Sequence, residues 1–177
     1  MKKLLYLLFI ISYTMVAQMS ESQILTMSEF TIKQGHNEQF RAGVKMWKEC
    51  YLEKKGTDKF NVWRRVQGEG IMYVLTGMMD NWAEMDKEDA AGKECRMKVL
   101  DFIMPHVAKV NYNIARTMPE VSKSSASDGT KLVWVSFFRV ENGPVFNDII
   151  KETSSAIKSA EGSVRGTWYT FMGGGPD

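Results

Sequence analysis

A chain of 177 residues, 44% hydrophobic and 25% charged, can bury the core of one or two small domains, and such a composition excludes disorder for most of its length. The formal net charge is only +2, and Lys2 and Lys3 account for it; once the first residues are set aside, basic and acidic residues are equal in number. A neutral chain without a basic stripe excludes nucleic acid and an anionic membrane surface as partners.

The N-terminus has three parts: the Lys2–Lys3 start, an unbroken apolar run over residues 4–11, and a more polar stretch ending at the small residue Ala17. That layout predicts a cleavable secretory leader over residues 1–17, leaving Gln18 first, with slippage to Ser20 as the alternative. The run is too short to span a bilayer, which takes roughly 20 apolar residues, and no later stretch approaches that length. No membrane insertion is expected, and the first cysteine, Cys50, lies too far from the cleavage site to accept a lipid. The expected location is the periplasm or the medium.

Residues 24–32 alternate as a strand, and Gln34-Gly35-His36-Asn37 breaks it. Phe40, Val44, Trp47 and Tyr51 then recur at helical spacing. Residues 55–58 carry turn chemistry, 60–66 are rich in β-formers, 67–70 turn the chain and 71–79 read as a second strand, which predicts a hairpin. Asn81 with Glu84 three residues on fits a capping box for a long helix that carries Ala91, Cys95, Val99 and Phe102 on one face and stops at Pro105. A strand over 111–118 follows. The order β-α-β-β-α-β over residues 18–121 is the split βαβ arrangement of a ferredoxin-like unit.

Residues 122–130, serine-rich with Asp128 and Gly129, read as a linker. Residues 131–177 then begin the pattern again: a strand over 132–140, a helix started by Asn142-Gly143-Pro144, and a strand over 164–171. Phe30 and Phe138 each precede a glycine by five positions, and Trp63 and Trp168 each precede glycines by five and by seven. This spacing predicts a tandem repeat whose second copy stops after β-α-β, so that the chain reads as truncated, with residues 173–177 forming a hairpin turn.

Chemistry-bearing residues are sparse. His36 and His106, the only histidines, are separated by 70 positions with no metal-binding motif around either, so His36 reads as a solvated loop residue and His106 as packing at a helix end. Acids at 84, 86, 88 and 89 crowd a helix start, where they complement its dipole. The glycine-rich turns lack the lysine and following helix of a phosphate loop. Arg64 and Arg65 read as surface residues. No metal and no cofactor is expected. Cys50 and Cys95 fall on the two helices that pack side by side in a ferredoxin-like unit, where a disulfide is allowed by export and two buried free thiols are the alternative. The unusual enrichment is in methionine, with 13, and in strand aromatics. Trp63, Tyr73, Trp134 and Trp168, in some subset, are the candidate ligand-binding residues, expected on the sheet face away from the helices, although such stripes are more often core.

On this element order, with Trp63, Trp168 and the glycine turns, the chain resembles the dimeric α/β-barrel superfamily, which includes the antibiotic-biosynthesis monooxygenase-like proteins, and exported bacterial relatives of unassigned function. The resemblance implies an α+β fold with ferredoxin-like sheets packed face to face, in one tandem chain or across a dimer, so self-association is allowed. It carries over no catalytic motif. The expected function is non-catalytic binding of a small apolar or aromatic ligand, or of a protein partner. The alternative is a cofactor-independent monooxygenase-like enzyme in which His106 or a tyrosine handles a proton.

Overall fold

The computed structural model describes residues 22–123, 129–160 and 165–174. The leader over 1–17, the new N-terminus at Gln18, residues 124–128 of the linker, residues 161–164 and the last three residues lie outside the described residues. In chain order the elements are β1 (Ile24–Ile32), α1 (Asn37–Glu53), β2 (Phe60–Arg64), β3 (Met72–Met79), α2 (Ala90–Phe102), β4 (Val107–Thr117), α3 (Gly143–Ser159) and β5 (Tyr169–Gly173). The strands form one antiparallel sheet in the order β2-β3-β1-β4-β5. Its first four strands have the ferredoxin-like order, so the α+β assignment holds for residues 24–117.

Register decides which side chains meet. Phe30 lies opposite Tyr73 on β3 and Val110 on β4, and antiparallel partners share a face. This face takes the helices. Ile32, Phe40, Tyr73, Ile103 and Val107 form its buried cluster, with Phe30, Val44, Trp47 and Val99 packed against them. The turn from β1 into α1 is tight, and Gly35 takes a φ of 81° there, a conformation glycine adopts without steric cost.

The two helices pack against each other, and Cys50 and Cys95 are joined by a disulfide with their Cα atoms 6.0 Å apart. Close approach is made possible by Gly43. A Cβ on it would run into the backbone carbonyl of Phe102. Gly43→Ala should therefore push α1 and α2 apart and cost about 1–3 kcal/mol, as overpacking does. Urea unfolding measures this as a lower midpoint at unchanged slope.

Several boundaries differ from expectation; β4 begins at Val107 rather than at residue 111. Asn81 caps only a single 3₁₀ turn, Trp82–Asp86, accepting from the backbone N–H of Ala83, while α2 begins later with Asp89 accepting from the Gly92 N–H. The run of Glu84, Asp86, Glu88 and Asp89 contains acids suited to two starts, and only the second continues. Residues 132–140, expected as a strand, join no ladder in the structure. Their alternation of apolar residues satisfies the pattern for a strand, yet a strand also needs a neighbour for its backbone groups. Trp134 there is 85% exposed.

The second half still forms a helix and a strand. Asn142 caps α3 by accepting from the Val145 N–H, and the amino group of Lys123 donates to the carbonyls of Ile157 and Ala160 near its C-terminal end. The last strand starts at Tyr169 rather than 164, because residues 165–168 are held against 118–123: Met118 N–H donates to Trp168 O, and Lys123 and Gly166 pair as an isolated bridge. β5 then extends the first sheet along β4.

Candidate functional site

An open cleft of about 580 Å³ lies on the helix side of the sheet. Its floor is set by strand parity. Thr26 lies opposite Gly77 and Ser28 opposite Leu75, so these four are on the same face as the core, but toward the strand ends beyond its aromatic cluster. All four line the cleft, together with Met79. Small residues at 26, 28 and 77 keep the floor low, and the Thr26 hydroxyl donates to the Gly77 carbonyl across the strand pair, at 3.3 Å.

The walls come from the end of α1 and the start of α2. Tyr51 is buried, stacks on Trp47 at 5.2 Å between ring centroids and packs edge-on to Phe60. Its hydroxyl accepts from the Asp58 N–H. Burial is the main cause that raises the Tyr51 pKa, so the phenol stays protonated and is a neutral group at the cleft. Gly56 closes the turn below it. A side chain there would collide with the Tyr51 ring. Lys55, just ahead of it, has a φ of 61°, a left-handed conformation usually left to glycine.

Charges ring the opening. Lys54 pairs with Glu94 at 2.7 Å and Lys87 with Glu84 at 3.5 Å, and the Lys54 pKa is raised chiefly by its hydrogen bond to Glu94. Lys55, Asp58, Lys59, Glu88 and Asp89 complete the rim. Both signs are represented, so the opening is polar without a strong field.

The four aromatic residues expected to form a ligand site do not converge. Trp63 lies on the face away from the helices, as expected, because it pairs with Val74; its indole N–H donates to the Thr76 hydroxyl at 3.0 Å. Tyr73 lies on the opposite face, buried, stacked on Phe40 and donating its hydroxyl proton to the side-chain Oδ1 of Asn37. Trp134 is outside any strand, its indole N–H donating to Ser136. Trp168 precedes β5 and packs with Phe138 and Phe146. β2 and β5 are the two opposite edges of the sheet, which separates Trp63 from Trp168. None of the four lines the cleft.

Sequence reasoning missed the cleft, and it missed one pairing. His36 and His106 meet, with their Nδ1 atoms 2.9 Å apart. The arrangement puts them at the end of the strands opposite the cleft, since His36 follows β1 and His106 precedes β4. Their sequence separation hides this, although both flank strands that the β-α-β-β-α-β order makes neighbours.

The fold defines a ferredoxin-like α+β protein with a small-molecule-sized cleft between sheet and helices. No family model matches the chain. No curated protein matches it. Solved structures similar to it include a candidate antibiotic biosynthesis monooxygenase from Bordetella bronchiseptica, at 12% identity, covering 52% of this chain and 94% of that one with a TM-score of 0.40. A conserved protein from Methanosarcina mazei is similar at 15% identity over 54% of this chain and 93% of that one, TM-score 0.41. An uncharacterised NIPSNAP-like domain protein from Burkholderia xenovorans is similar at 9% identity over 52% and 82%, TM-score 0.37.

Proposed function

We propose that the chain is an exported, non-catalytic binding protein whose helix-side cleft receives one small ligand with an apolar or aromatic body and polar ends. The observation that carries the reading is the cleft itself. It has a low floor of Thr26, Ser28, Leu75 and Gly77, a buried aromatic wall at Tyr51 and a rim of both charges. A volume of about 580 Å³ lies in the range of small-molecule sites. Export is supported by the disulfide, because such bonds persist in oxidising compartments. Among the described residues no helix is long and apolar enough to cross a membrane.

The ligand is expected to enter here rather than at Trp63. On the Trp63 face, Leu25, Met27 and Val74 are half-buried, and a protein partner or a second copy is the occupant that such a face suits. The enzyme alternative requires a proton-handling group at the cleft. His106 does not line it, whereas Tyr51 does, and as a protonated phenol it suits hydrogen bonding better than base catalysis.

Amide chemical-shift mapping with indole-3-carboxylate and benzoate as probes tests the location. Shifts concentrated at Thr26, Ser28, Leu75 and Gly77 are expected. Shifts concentrated at Asn61, Trp63 and Thr76 would reject the cleft.

A further inference from the structure

Seven of the nine residues from 132 to 140 are large apolar side chains left exposed, and their backbone joins no ladder. A protein of this size rarely leaves such a run of apolar surface open unless something binds it. The side chains already alternate as they do on a strand. Phe137 packs on Phe171 of β5, its neighbour Phe138 packs instead on Phe146 of α3 and on Trp168, and Trp134 meets Ser136 two positions on. None of these residues lines the cleft, so the segment is a surface separate from the ligand site.

We propose that residues 131–141 are the contact through which two copies of this chain associate, each segment pairing antiparallel with its twin about a two-fold axis at Ser136. The segment is self-complementary in that register. Lys131 lies opposite the partner's Glu141, Leu132 opposite the partner's Val140 and Trp134 opposite the partner's Phe138, and the symmetry repeats each pair. Opposed residues of an antiparallel pair share a face. The partner's Trp134 therefore joins the cluster of Phe138, Phe146 and Trp168, and an ion pair closes each end.

Charge fixes the register. Moving the axis to Val135 sets Lys131 against Arg139, and moving it to Phe137 sets Glu141 against Val133. Length selects the occupant. The sheet's own edge strands, β2 and β5, hold five residues each and match only part of the segment, whereas its twin matches all of it. Pairing also gives the backbone N–H and C=O groups of both segments the ladder they lack in a single copy.

Sedimentation equilibrium of the full chain should show a reversible dimer. Trp134→Glu should weaken it at least tenfold, and because Trp134 is 85% exposed its replacement leaves the fold standing. Lys131→Glu and Glu141→Lys should each weaken it severalfold, since like charges then face each other at both ends, and combining the two should restore it. Cysteine cross-linking reads the register. Ser136→Cys should give a disulfide-linked dimer on mild oxidation, because position 136 faces itself. Val140→Cys should not, because the two copies of position 140 lie about 27 Å apart at about 3.4 Å per residue. A monomer at every concentration would overturn the proposal, as would a dimer that Trp134→Glu leaves intact or equal cross-linking of the two cysteine variants.

Discussion

Reduction of the Cys50–Cys95 disulfide is expected to lower the free energy of unfolding by about 4 kcal/mol, the largest loss any single bond in the molecule should produce. The two cysteines are separated by 45 positions. The effect acts on the unfolded chain: cutting the cross-link releases a loop whose closure entropy, at that length, corresponds to about 4 kcal/mol at room temperature in the chain-entropy model. In the folded state Cys95, on α2, is fully buried and Cys50, on α1, is half-buried, so the Cys95 sulfur stays packed after reduction. A Cys50→Ser/Cys95→Ser variant should lose as much or more, because it adds hydroxyls to a buried site. Guanidinium unfolding with and without reductant measures the difference. A loss below about 1 kcal/mol would mean that the bridge closes a loop already constrained in the denatured chain.

Phe40→Ala should cost about 3–5 kcal/mol. Phe40 is 3% exposed and sits where α1 meets the sheet, with Tyr73 stacked on it at 5.0 Å between ring centroids and Phe30 tilted against it at 6.2 Å. Its removal leaves a void that Ile32, Ile103 and Val107 cannot collapse into, since Ile32 and Val107 are held in paired strands and Ile103 caps α2. Tyr73→Phe is the milder contrast. It removes only the hydrogen bond to Asn37 and should cost about 0.5–1.5 kcal/mol. Thermal or urea unfolding of the two variants separates the packing contribution from the polar one.

The ferredoxin-like unit was legible because its elements carry local signals. Phe40, Val44, Trp47 and Tyr51 repeat at helical spacing, Gly35 marks the turn before them, and the alternation from 24 to 32 gives β1. Export chemistry and the two helix positions together made the Cys50–Cys95 bond a candidate, and the packing of α1 on α2 brings it to bonding distance. Tyr73 went to the wrong face because parity fixes which residues within one strand share a face, whereas only the register between β3 and β1 tells which face meets the helices. The segment 132–140 has the residues of a strand, and its state depends on a partner that local pattern cannot supply. The cleft was hidden for a related reason. It is made by small residues at 26, 28 and 77 lying under the end of α1 and the start of α2, and small residues leave no mark in hydrophobic periodicity. The His36–His106 contact arises from strand adjacency alone.

Native mass spectrometry of the full chain tests the central claim most directly, with two variants beside the wild type. The wild type should retain a small molecule at a stoichiometry of one, Ser28→Trp should lose it because the indole fills the cleft floor, and Trp63→Ala should keep it because that residue lies on the other face of the sheet. Retention by Ser28→Trp together with loss from Trp63→Ala would contradict the account and move the binding site to the face away from the helices.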